Sequence, residues 1–238
     1  MTKENIKEKD LTDFPFEDVP NKNWLLSLII SIGGFFYISF GLSTLPKFLM
    51  NQYFISFLFL FFCFLSLYVL DVKFFGKLFK KFKKRDIGII ILTIIMSYIL
   101  AILSSIGGVD LVENPITDFI SKDNIVQILF LTAIQLIGEE ILFVIPFLFT
   151  YNKLKKNMKN KYAVLIAWII SSLFFGMLHL QTYSFNFYQA FIVIGAVRMG
   201  MSWSYIKTKN LNVSYIAHVL YDFIILYGVY LVNEHGLI

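Results

Sequence analysis

LTAIQLIGEEILFVIPFLF, residues 131–149, places two adjacent carboxylates, Glu139 and Glu140, in the middle of an otherwise apolar run. Roughly 20 apolar residues carry a helix across the hydrocarbon of a bilayer, so this stretch reads as part of a membrane span. An ionisable group near the centre of such a helix costs about 2.5–3.5 kcal/mol on insertion scales. It persists where it pairs, faces a bundle interior or performs chemistry. Two carboxylates this close resist ionising together where the dielectric is low. The pair therefore suits a general acid or base, or a metal ligand. The purely structural alternative is a polar contact between helices.

The rest of the chain supports the same solvent. Of 238 residues, 58% are hydrophobic and only 16% charged, with a mean hydropathy of +0.71. A soluble domain carries about a quarter charged residues and lacks the interior volume to bury this much apolar surface. Long apolar runs predict spans at about 24–44, 52–70, 87–106, 125–150, 163–180, 186–206 and 211–232. Apolar and polar residues do not alternate strictly, which argues against a β-barrel. The expected fold is an all-α polytopic bundle of about seven transmembrane helices.

Charge sets the expected orientation. Alternate loops place eighteen Lys and Arg on the side of the N-terminus and two on the other, with Arg198 inside a span. The positive-inside rule then predicts a cytoplasmic N-terminus and an external C-terminus, and the Lys/Asn-rich, Phe/Ile-rich composition suggests a bacterial cell membrane. Residues 1–23 are mixed in charge and lack a signal-peptide pattern, so they read as a cytoplasmic tail. The predicted organisation continues with a three-helix scaffold (24–106), an outer loop (107–124), a four-helix catalytic region (125–232) and an outer tail (233–238). Within the outer loop, VENPITDFI (112–120) is a candidate short surface helix. The basic loops, with a pI of 9.1, fit topology and anionic lipid rather than nucleic acid. Cys63, the sole cysteine, reads as packing.

The intramembrane polar chemistry lies in the last four spans. SSLFFGMLHLQ (171–181) contains His179 with Phe175 one turn earlier, and IAHVLYDFII (216–225) contains His218 and Asp222, four apart on one helix face. A carboxylate one turn from an imidazole orients the ring and selects its tautomer. Glu140, His179 and His218 form a candidate set for zinc or another divalent metal with an open position for water. Without metal, a glutamate activates water and the histidines stabilise the oxyanion. Both schemes hydrolyse an amide. His235 is assigned no role.

In this order and spacing the motifs resemble the CPBP intramembrane proteases, also termed the Abi or CAAX-protease-like family. That family's pattern is Glu-Glu-x-x-x-Arg, then Phe-x-x-x-His, then His-x-x-x-Asn or Asp. Glu139–Glu140, Phe175–His179 and His218–Asp222 match it, and GAVRMGMSWSYIKTKNLNVSYIAH (195–218) is similar to the small-residue helix and turn before the last motif. The resemblance covers about residues 125–232. It implies an endopeptidase in which Glu139 or Glu140 activates water, His179 and His218 bind metal or oxyanion, and Asp222 orients His218. The substrate is then a membrane-associated peptide or protein, in peptide maturation, bacteriocin processing or self-immunity. Val144 stands where the family has Arg. Arg198 either replaces that charge or snorkels to the inner interface.

Two rival classes remain: a non-catalytic immunity or scaffold protein of the same fold, and a small proton-coupled transporter. Depth also raises a tension. With the span edges above, Glu139, His179 and His218 lie about 11, 17 and 7 residues from the inner ends of their helices, a spread on the order of 15 Å at ~1.5 Å per residue. Convergence requires tilted helices or different boundaries, such as a fifth helix that begins inside the cytoplasm with Trp168 near the interface.

Overall fold

The computed structural model describes residues 14–107 and 110–235. Residues 1–13 and 236–238 of the expected tails, and residues 108 and 109 of the outer loop, lie outside the described residues. The helices are α1 (Asn21–Phe40), α2 (Gln52–Leu70), α3 (Lys84–Ser105), α4 (Ile125–Leu154), α5 (Asn160–Leu178), α6 (Gly195–Thr208) and α7 (Leu211–His235). A five-residue helix, Phe74–Leu78, lies between α2 and α3. The all-α bundle expected from the hydropathy is what forms.

Sequence-local chemistry places the ends. Asn51 caps α2 by accepting from the Phe54 amide at 2.8 Å. At the start of α3, Asp86 reaches back to accept the Lys83 amide at 2.8 Å. In the outer loop, the candidate short helix is a 3₁₀ helix, Pro115–Phe119, opened by Pro at its first position and capped by Asn114.

Six helices, α1 to α5 and α7, are long and apolar enough to cross a membrane. The windows of α1, α2 and α3 are only 22%, 28% and 17% buried inside the protein. Leu25, Phe57, Ile91, Ile102 and many more large apolar side chains face outward, far more apolar surface than a soluble monomer exposes. The chain is a multi-pass membrane protein.

The expected span at 186–206 departs from this pattern. It divides into a π-helical segment, Gln189–Ile194, and the 14-residue α6. The two run on without a break, so residues 187–208 are helical throughout and lie close to the expected edges. Its Gly195, Arg198, Gly200, Ser202 and Ser204 are buried. This helix packs against α3, α5 and α7, so its small and polar residues meet protein rather than lipid.

α4 is the central helix, in contact with α2, α5 and α7. Its residues from Gly138 to Leu148 are all buried. Close approaches hold the neighbours in place. A Cβ on Gly138 would lie 2.3 Å from the Phe59 ring of α2, and a Cβ on Gly176 would lie 2.1 Å from the Ala190 carbonyl oxygen in the π segment. Cys63, fully buried, donates its thiol to the Gly138 carbonyl at 3.6 Å, a packing role.

The turn between α6 and α7 is buried in the protein. Lys209 closes α6 in the left-handed region, with φ 50°. Lys209, Asn210 and Leu211 are all buried. The Asn210 side chain pairs with the Lys80 backbone, accepting from its amide at 2.9 Å and donating to its carbonyl at 3.1 Å. α7 therefore starts inside the protein, covered by the chain after α2. The helix begins at its expected residue, but under protein cover rather than in a surface loop. α5 begins at Asn160, close to its expected edge. Trp168 donates to Ser202 at 2.7 Å and so ties α5 to α6.

Candidate active site

The adjacent carboxylates have opposite fates. Glu140 is fully buried. Its Oε1 accepts from Arg198 Nη1 at 2.7 Å and from His218 Nδ1 at 2.8 Å. Arg198 and His218 stand 3.4 Å apart because both donors converge on one oxygen. A buried carboxylate is tolerable only with such compensation. The guanidinium is itself enclosed by aromatic faces, with Cζ 4.4 Å from the Phe143 ring centroid and 4.7 Å from that of Phe175. Arg198 thus sits against Glu140 rather than at an interface, and Val144, one turn beyond Glu140, is a core side chain at 0% exposure. The π segment just before α6 adds residues to its turns and so changes the angular phase of all that follows, Arg198 included.

Glu139 faces the other way. It lines a cavity of about 470 Å³ together with Phe175, His179, Arg198, His218 and Asp222. Its Oε1 accepts from Gln135 Nε2 at 2.8 Å. A smaller cavity of about 220 Å³, between α1, α2, α4 and α5, also contains Gln135, Glu139 and His179 in its wall.

The histidines are oriented by their second nitrogens. His179 follows the last residue of α5, and its Nδ1 lies 3.0 Å from the Phe175 carbonyl oxygen. A carbonyl only accepts, so Nδ1 carries the proton and Nε2 of the neutral ring is an acceptor. His218 donates Nδ1–H to Glu140, and its Nε2 is 3.9 Å from the Asp222 carboxylate on the same face of α7. The structure brings every sequence-predicted site residue to this cavity or directly behind it: Glu139, His179, His218, Asp222 and Arg198 line it, with Phe175 stacked on Arg198 and Glu140 beneath.

Residues 121–224 match the Rce1-like family, described as type II CAAX prenyl endopeptidases. The match agrees with the resemblance carried by the motifs and covers α4 to α7 as far as Ile224. No curated protein and no solved structure matches the chain. The matched region contains the whole Glu140–Arg198–His218 cluster.

The expected metal set does not fit this geometry. No group of three or more His, Cys, Asp or Glu with metal-holding geometry occurs among the described residues. Glu140 Oε1 is already shared by two donors, and the Arg198 cation beside it opposes a second cation. His179 commits Nδ1 to its own helix. No step is therefore derived through a metal.

Two residues escaped the sequence reading. Gln135 was legible, since it sits one turn before Glu139 on α4. Tyr183, 8% exposed and part of the cavity wall, follows His179 by one turn with their ring centroids 6.4 Å apart. It belongs to a turn, where helical spacing gave no signal.

Proposed function

We propose that the chain is an intramembrane endopeptidase acting on a membrane-associated peptide or protein, with Glu139 as the general base. The observation that carries this reading is the division of labour in the pair. Glu139 opens on a cavity shared with two histidines, whereas Glu140 is consumed by Arg198 and His218.

In this reading a water donates one hydrogen to the Glu139 carboxylate and the other to His179 Nε2. Its oxygen attacks the peptide carbonyl carbon, and the abstracted proton passes to Glu139. Arg198, whose Nε and Nη2 have no hydrogen-bond partner among the described residues, and His218 as imidazolium supply N–H donors to the oxyanion. Collapse of the tetrahedral intermediate breaks the C–N bond, and the proton on Glu139 goes to the leaving amine. Gln135 holds Glu139, and Asp222 orients His218. Peptide maturation, bacteriocin processing and self-immunity are the roles we infer, with anionic lipid at the basic loops.

The test follows cleavage of membrane-associated peptides by mass spectrometry, with wild type and variants at matched membrane levels. Loss of cleavage in Glu139→Gln and His179→Ala supports the proposal. Equal behaviour of wild type and both variants, whether all cleave or none does, would sink it in favour of a non-catalytic relative.

A further inference from the structure

The bundle has two chemically different ends. At one, the basic loops gather. Lys155 pairs with Glu17 at 2.6 Å, Lys153 donates to Asn21, and Asn210, next to Lys209, holds the Lys80 backbone. At the other end, Asn186 donates to the Asp110 carbonyl at 2.9 Å, and the Gln189 side chain exchanges two 2.8 Å hydrogen bonds with the Val112 backbone. The loop held there carries Asp110, Glu113, Asp118 and Asp123, all exposed, against Lys122.

The larger cavity, with Glu139 and His179 in its wall, belongs to the acidic end. Its α4 residues, Thr132, Gln135, Leu136 and Glu139, lie in the half of the helix nearer the acidic loop. Asn114, Ile116 and Thr117 of that loop also line it, and Asn114 is exposed, so the cavity meets the surface there. In the opposite direction the protein is solid. Phe143, Phe147 and Tyr151 stack along α4 with successive centroids 5.8 and 6.4 Å apart, and Phe14 and Tyr205 close edge-on against them. All five rings belong to residues at most 2% exposed.

Loops rich in Lys and Arg are retained on the cytoplasmic side of a membrane. We propose that substrate enters the cavity from the opposite, extracytoplasmic side, so that the enzyme cuts outward-facing segments of membrane-anchored or secreted peptides and not cytoplasmic ones. The proposal rests on the endopeptidase reading. The aromatic layer then separates the reacting groups from the cytoplasm.

Two measurements test it separately. The first needs no catalysis. In a Glu139→Gln background, Thr132→Cys, Asp118→Cys and Lys156→Cys are each treated in spheroplasts with a charged, membrane-impermeant methanethiosulfonate; Cys63 is fully buried and does not compete. Thr132 is half-buried in the cavity wall, whereas Asp118 and Lys156 are exposed at the acidic and the basic end. Thr132→Cys and Asp118→Cys should react in intact spheroplasts, and Lys156→Cys only after permeabilisation. Reaction of Thr132→Cys only after permeabilisation, or not at all, overturns the proposal. So does reaction of Asp118→Cys only after permeabilisation, which would put the cavity end in the cytoplasm.

The second measurement presents a library of random peptide segments, each joined to a single transmembrane anchor in either orientation, to cells expressing wild type or Glu139→Gln. Cuts are read by mass spectrometry. Cuts made by wild type and lost in Glu139→Gln should fall in the outward-facing segments. Such cuts in the inward-facing segments, alone or as well, overturn the proposal. No such cut in either orientation, with Thr132→Cys labelled from outside, would instead overturn the endopeptidase reading and leave an outward-facing binding cavity.

Discussion

Arg198 of α6 donates from Nη1 to Glu140 Oε1 of α4 at 2.7 Å, and each side chain is only 1% exposed. This ion pair joins residues 58 apart in sequence. It brings a positive charge to Glu140 from a neighbouring helix, while Val144, one turn along α4, is an apolar core residue.

Removing one partner of a buried pair leaves the other charge uncompensated. Arg198→Met should lower stability by about 3–5 kcal/mol, read from unfolding of the bicelle-embedded protein in a denaturing detergent titration. The double variant Arg198→Met/Glu140→Leu should lose less than the single one. An additive double variant would show that the pair is not coupled.

The position of the cation can be tested by moving it. Val144→Arg alone adds volume and charge to a filled core and should destabilise by about 1–3 kcal/mol. In the Arg198→Met background the same change should recover about 1.5 kcal/mol, the scale of a hydrogen bond to a charged group. A further loss in that background would mean that Glu140 is not reachable from position 144.

Glu139→Gln and Glu140→Gln should separate by mechanism. Glu139→Gln should reduce cleavage roughly 10²- to 10⁴-fold, the usual contribution of a general base, while unfolding stays near wild type. Glu140→Gln should lower both activity and stability, because Arg198 and His218 lose their anionic partner. Reversal of these phenotypes would assign the base to Glu140.

Gln135 acts on the substrate only through Glu139, as a positioning residue. Gln135→Leu removes the 2.8 Å hydrogen bond to the carboxylate, worth about 1.5–3 kcal/mol for a charged acceptor. The expected result is a fall in kcat of roughly ten- to a hundredfold at nearly constant KM, with partial rescue by Gln135→Asn. An equal change in kcat and KM would point to substrate binding instead.

Gly176 sets the distance between α5 and the π segment. In Gly176→Ala the new methyl would lie 2.1 Å from the Ala190 backbone oxygen, which cannot rotate away as a side chain can. A loss of about 1–3 kcal/mol is expected. Activity should fall further than stability, because Phe175 and His179 flank the same turn of α5. Normal activity in this variant would show that the helix pair separates without moving the site.

Much of this architecture was readable from residue order. Span α2 was expected at 52–70 and occurs as Gln52–Leu70. The other long helices begin and end within about four residues of their expected edges. The shared face of His218 and Asp222 followed from a spacing of four. Such features depend on neighbours along the chain, whose transfer into lipid and helical geometry are nearly additive.

Other features resisted that reading because they depend on distant segments. Adjacent residues on α4 point about 100° apart at 3.6 residues per turn, but only the packing of α6 and α7 makes one direction a filled core and the other a cavity. Hence Glu140 became the partner of Arg198 and His218, and Glu139 the carboxylate that lines the cavity. Likewise, residues 207–210 read as a surface loop, yet Lys209 and Asn210 are buried, with Asn210 paired to the Lys80 backbone. Hydropathy and helical period determined that the chain forms membrane helices and which residues share a face. Long-range packing decided which glutamate opens to the cavity and where the arginine finds its charge, because contacts between distant segments override the preferences of the chain around each residue.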